Sequence, residues 1–283
     1  LEALEQLMQV RGQALANHHA DTFEQYRNEL EAAFFRYSEI PTPAPFDPRE
    51  TPPTFQRQWN PLAFRRQGQA EVLESFAAMM DVLRDVDAGD FRETLDDAAD
   101  EGYARELWML QLGGIDTEVL ADFAPDDWEA TLRDNAVEGQ DWEARLAVWN
   151  GSTTHKMRRW LVALALAGGA WGDTVGGYAR LMQQHTGRVA GLFANETFRA
   201  FTTGAMVGLA SASRMLGTAI PEVWLCRSDA TGQPDPLVCP VCKPLHMTVT
   251  RLRPIDDTHP GCRCIKVPLP DNAEPGAFVP FTR

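Results

Sequence analysis

"ETFRAFTTGAMVGLASASRML", residues 196–216, sets Gly204, Gly208 and Ala212 four residues apart. On a helix that spacing stacks the small side chains into one ridge, and such a ridge lets another backbone come close. The stretch therefore reads as a helix packed tightly against a second helix. The contact lies inside the subunit or with a neighbour, and core packing within the chain is the plainer of the two. A protein organised around it is mainly α.

Upstream the helical period continues. "DTVGGYARLMQQHTG" (173–187) offers Asp173 as an N-cap, stripes Val175, Tyr178 and Met182, and is expected to close at Gly187. "KMRRWLVALALAGG" (156–169) ends in a glycine pair, and "NGSTTH" (150–155) reads as a helix cap. Residues 151–220 are thus one helical region. Before it, 62–150 is helical and acidic, with Val72, Leu73, Phe76, Met79, Met80 and Leu83 on one apolar face. Further helices are expected near 90–112, 117–123 and 126–149, the last capped by Asp126 or Asp127 after Pro125. Trp108, Trp128, Trp142 and Trp149 read as core anchors.

Residues 40–61 form a linker or surface strap, because 40–55 hold six prolines in sixteen residues and proline supplies no backbone donor. Residues 1–39 read as two helices. The first spaces Leu4, Leu7, Met8 and Leu15; the second starts at Asp21 and lines up Tyr26, Leu30 and Phe34. The acidic, amphipathic opening does not read as a leader peptide. The longest nearly apolar run, Trp160 to Trp171, is too short to span a bilayer, so no membrane partner is expected.

The net charge of −14 is unevenly distributed. Residues 1–150 carry −19, residues 151–220 carry +5, and residues 221–283 are neutral. The acidic part would be repelled by DNA and attracted to a basic protein surface, unless it is only a solvated face.

After Gly217 the character changes. Prolines recur, and "EVWLCRS", "MTVTRLR" and "CIKVPL" favour strands. Residues 221–283 are therefore expected to form a small module of knuckle-like loops and a β-hairpin. At about 50 residues its core alone is marginal, and it needs a staple. Four of the five cysteines supply one, in "CPVC" (239–242) and "HPGCRC" (259–264). Cys239-x-x-Cys242 is a zinc half-site, and Pro240 and Pro244 favour its turn. The second half comes from His259, Cys262 and Cys264. His259 with Cys262 or Cys264 is the first choice, Cys262 with Cys264 the other; Cys226 and His246 are spare donors. Disulfides among Cys239, Cys242, Cys262 and Cys264 are the alternative in an oxidising compartment. The zinc is expected to be structural. No Glu adjoins a candidate His as a hydrolytic site requires, and Asp256 and Asp257 suit turn or supporting roles.

With these residues in view, the chain resembles the phage Mu F-like minor head proteins, the phage head morphogenesis domain. The resemblance runs over about 155–270, through "GDTVGGYARLMQQHTGRVAGLFANETFRAFTTGA", "VWLCRSDATGQPDPLVCPVCKPLHMTVT" and "DDTHPGCRCIKVPL". Two positions depart from the family pattern. Glu196-Thr197 inverts its Thr-Glu order, and Met247 stands where a glycine is usual after Leu-His. The resemblance implies a low-copy capsid protein at or near the portal, acting in head assembly, DNA packaging or DNA delivery. It implies the portal protein as partner, then the major capsid protein, with packaged DNA contacted without sequence specificity. The location would be the virion interior, after synthesis in the host cytoplasm, and no enzymatic activity is implied.

Two other classes are weighed against it. Some related proteins carry toxin or ADP-ribosyltransferase domains beyond the cysteine module, but the nineteen residues after Cys264 hold no such motif. "DDTHPGC" lacks the histidines of a His-Asn-His nuclease. A zinc-ribbon nucleic-acid module would show a basic stripe, and the neutral C-terminal region has none.

Overall fold

A computed structural model describes residues 2–38, 68–125, 127–134, 141–167, 171–226, 233–234, 238, 240–250 and 264–269. The proline-rich strap of 40–61 lies outside these residues, as do Cys239, His259 and Cys262. The described chain is mainly helical: α1 (Glu2–Ser38), α2 (Gln69–Leu112), α3 (Trp128–Asp134), α4 (Trp142–Ala167) and α5 (Trp171–Leu216). Three short strands follow, β1 (Glu222–Leu225), β2 (Val249–Thr250) and β3 (Ile265–Pro268).

The helices run through several positions that read as ends. α1 continues past Asp21, because Leu15, His19, Phe23, Tyr26, Leu30 and Ala33 keep one unbroken buried stripe on both sides of it. α2 joins the apolar face from Val72 to Leu83 and the helix expected near 90–112 into one helix of 44 residues. α5 begins at Trp171, two residues before Asp173, and passes through Gly187. A helical glycine costs only about 0.5–1 kcal/mol, which burial of His185, Val189 and Leu192 beside it readily exceeds. "NGSTTH" is no cap either: it lies inside α4, where Leu146, Asn150, Thr153, Met157 and Leu161 are buried at helical spacing. The expected 126–149 helix is replaced by α3 and α4. Asp127 does cap α3, accepting from the backbone N–H of Glu129 at 2.9 Å.

The chain divides into two compact units. The first comprises Leu1–Arg11, Asp90–Trp142 and Leu192–Arg283, the second Gly12–Gly89 and Glu143–Gly191. In the first unit α2 and α5 meet backbone to backbone. A Cβ on Gly204 would stand 1.9 Å from the Ala99 carbonyl oxygen, and one on Gly102 would stand 1.9 Å from that of Phe201. The small-residue ridge is thus a contact within the chain, with Ala212 and Leu209 buried beside it. Phe91 stacks on Trp142 and meets Phe193 edge-on. Trp128 is buried and donates to Asp100, and Trp149 is half-buried. Trp108 departs from expectation: it is 56% exposed, because α2 buries its glycine face and turns this position outward.

The second unit has a side-chain core. Phe23, Tyr26 and Leu30 of α1 pack with Phe76, Met80 and Leu83 of α2, Met157 and Leu161 of α4, and Tyr178 and Met182 of α5. The Tyr26 and Tyr178 hydroxyls donate to the carbonyls of Val72 and Phe23. A groove of about 520 Å³ lies between α2 and α4, lined among others by Met80, Arg84, Asn150 and His155.

The strands belong to the first unit and form one antiparallel sheet in the order β2-β1-β3, so the expected hairpin gains a third strand. Every residue of β1 and β3 is buried.

Candidate metal centre

β1 and β3 pair from Glu222↔Pro268 to Leu225↔Ile265. Carried one step further, that register sets Cys226 opposite Cys264. The Cys264 thiol donates to the Cys226 sulfur at 3.3 Å, and Cys226 donates to the Cys242 carbonyl at 3.2 Å. All three cysteines are buried against Trp224, with Val238 and Leu245 packed around them. Cys242 sits at the start of a single 3-10 turn, Lys243–Leu245, and its carbonyl also accepts from the Leu245 N–H at 3.0 Å. Pro244 at the head of that turn supplies the fixed φ it needs.

The chain then doubles back to β1. Met247 N–H donates to the Trp224 carbonyl at 2.8 Å, and Trp224 N–H donates to the Thr248 carbonyl at 3.0 Å. To do this Met247 takes φ +61°, a left-handed conformation that costs an ordinary L-residue roughly 1–2 kcal/mol and a glycine almost nothing. This is the position at which the resembled family carries glycine.

His246 is fixed by the same turn. Its Nδ1 accepts from the backbone N–H of Cys226 at 3.1 Å. In a neutral ring Nε2 then holds the proton and has no lone pair for a metal. His246 therefore holds the Cys226 backbone in place.

Of the five expected ligands, the structure brings Cys242 and Cys264 into one buried cluster, while Cys239, His259 and Cys262 lie outside the described residues. Among the described residues no group of three or more His, Cys, Asp or Glu side chains could hold a metal ion. The donors present still suit a soft cation. Two sulfurs at 3.3 Å are far beyond a disulfide bond of about 2.05 Å. They are close to the ~3.8 Å edge of a tetrahedral site with Zn–S bonds of about 2.3 Å. The residue that sequence reasoning underweighted is Cys226, held only as a spare. Its signal was a cysteine closing one β-stretch, "EVWLC", facing a cysteine opening another, "CIKVPL".

Beside the sulfurs on the same two strands is a buried ion pair, Lys266 Nζ to Glu222 Oε2 at 2.8 Å. Burial raises the Glu222 carboxyl, and the Lys266 charge and hydrogen bond oppose that rise. Glu106 of α2 shares a small pocket with this pair, together with Arg105, Phe201 and Met206. Burial pushes the Glu106 carboxyl up to about 8, against the pull of Arg105. The pocket holds only about 10 Å³, too little for a substrate. The inverted family pair is also internal: Thr197 donates to the Phe193 carbonyl at 2.8 Å, and Glu196 pairs with Arg199 at 2.6 Å, all three residues buried.

Comparison with known proteins finds no matching family model, no matching curated protein and no matching solved structure. No helix among the described residues is long and apolar enough to cross a membrane.

Proposed function

We propose that this chain is a minor capsid protein of the head morphogenesis type, from a tailed phage or a phage-derived particle. It sits at the portal on the capsid interior and acts in head assembly, DNA packaging or DNA delivery. Its C-terminal module is closed by structural zinc. The observation that carries the reading is the left-handed Met247. After Leu245-His246 the backbone takes a conformation that glycine adopts without cost, at the position where the resembled family usually carries glycine, and it lies in the part of the sequence that bears CPVC and HPGCRC.

In this reading Cys242 and Cys264 supply buried sulfurs, and two of Cys239, His259 and Cys262, which lie outside the described residues, complete a four-donor set, with Cys226 as a neighbouring spare donor. Zinc, when bound, supplies folding energy to a module whose own core is small. His246 positions Cys226, and Lys266 with Glu222 secures the strands. The three described cysteines are buried, which supports a structural role over a hydrolytic one.

Quantitative mass spectrometry of purified particles tests the function. A low, fixed ratio to the major capsid protein, matching the portal's copy number, is the expected result. Absence from particles would overturn the virion assignment and return weight to an enzyme or a nucleic-acid module.

A further inference from the structure

The centre of the second unit holds a polar cluster that the capsid reading does not use. His19 of α1 is completely buried; its Nε2 lies 2.8 Å from Asp87 Oδ1 of α2, and its Nδ1 lies 3.3 Å from the Thr186 hydroxyl of α5. His185, next to Thr186 on α5, stacks on His19 with centroids 5.7 Å apart and rings within 12° of parallel. Its Nδ1 lies 3.1 Å from the Thr153 hydroxyl of α4. Phe23 meets both rings edge-on. Four helices are therefore joined through two imidazoles.

Thr186, His19 and Asp87 follow the order of a nucleophile, base and acid. Access is poor, because His19 and Asp87 are completely buried and the groove between α2 and α4 is lined by other residues. What the cluster can do is count protons. The groups facing the rings are few: Asp87 from α2, Thr153, which is uncharged, from α4, and Arg188 on α5 beside His185. One carboxylate serves two stacked rings. His19 is engaged with Asp87 at 2.8 Å. A proton on His185 would meet His19 and Arg188 and, among the described residues, no anion, and His185 Nε2 has no hydrogen-bond partner. An isolated buried charge of that kind is not tolerated without rearrangement.

We propose that the stacked His19–His185 pair is a proton-operated latch, which keeps α1, α2, α4 and α5 together while the His185 ring is neutral and releases them when it takes up a proton. Consistent with the geometry, burial first, then His19 and Arg188, lowers His185 from 6.5 to about 4. A base depressed in the folded state contributes stability that is complete above its unfolded value of 6.5. That stability is lost as pH falls towards 4.

The test is amide exchange of the full chain between pH 7 and pH 4, corrected for intrinsic exchange, with NMR titration of the histidine rings. Opening of the second-unit segments of α1, α2, α4 and α5 is expected to rise about a hundredfold over that range. His185→Gln keeps a partner for Thr153 and should flatten the response. Asp87→Asn removes the shared carboxylate and should move opening to higher pH, which keeps the idea testable if His185→Gln fails to fold. An unchanged pH response in either variant would overturn the latch. So would a His185 ring that titrates at 6.5 while these helices stay protected.

Discussion

The two units bury opposite chemistry. The first packs backbone on backbone at Gly102 and Gly204 and hides an acid, Glu106; the second packs side chains on four helices and hides a base, His185. Both groups are forced neutral by burial, yet their linkage to pH has opposite sign. Glu106 is raised from 4.5 to about 8, so between those values the unfolded chain ionises and the folded one does not, and stability falls as pH rises. His185 is lowered from 6.5 to about 4, so stability falls as pH drops. The two windows overlap between about 4.5 and 6.5, where the stability gained through His185 as pH rises offsets the stability lost through Glu106.

The sharpest way to separate the units is through the cysteines. Cys226→Ser should abolish protection of Glu222–Leu225 and Ile265–Pro268, and zinc chelation should do the same, because metal ligation contributes folding energy outright. Proteolysis and amide exchange read this, with α4 as an unaffected control. A variant as protected as the parent, with no bound zinc in either, would break the metal reading and leave only packing.

Next come two alanine substitutions on one helix. Gly204→Ala forces a methyl into the Ala99 carbonyl and should cost about 3 kcal/mol or more by denaturant unfolding. Gly187→Ala, where nothing lies within 4 Å, should stabilise by roughly 0.5–1 kcal/mol. Equal effects would erase the distinction between backbone and side-chain packing.

Glu106→Gln follows in size. It should remove a loss of stability of roughly seventyfold in the unfolding constant between pH 5.5 and pH 7.5. A parental pH slope in the variant would relocate the acid. Met247→Gly, of the same small size as Gly187→Ala, is expected to stabilise by about 1 kcal/mol through relief of the left-handed residue. Destabilisation would show that the methionine side chain contributes more than its backbone costs.

Much of this architecture was readable from residues. The Gly204–Gly208–Ala212 ridge, the Asp127 cap and the strand character of "EVWLC" and "CIKVPL" are local patterns, and local physics fixes them. Helix length was not readable, because Asp21 and Gly187 permit a helix end without requiring one, and burial on both sides decided against it. Trp108 reads as a core residue only until the opposite face of α2 is seen to be the buried one. The contact of Cys226 with Cys264 spans 38 residues and depends on strand register, which no spacing rule encodes. His19, Asp87, Thr153 and His185 sit on four different helices, and each alone looks like an ordinary surface polar residue.

The Glu222–Lys266 pair has a consequence for how the module folds. Side chains alternate along a strand, so Glu222, Trp224 and Cys226 share one face of β1, and Lys266 and Cys264 share the facing side of β3. A slip of one residue would turn Lys266 and Cys264 to the other face together, stranding a buried ammonium at the same moment that it parts the sulfurs. The ion pair thus penalises a shifted alignment, because a slipped register leaves a buried ammonium without its carboxylate.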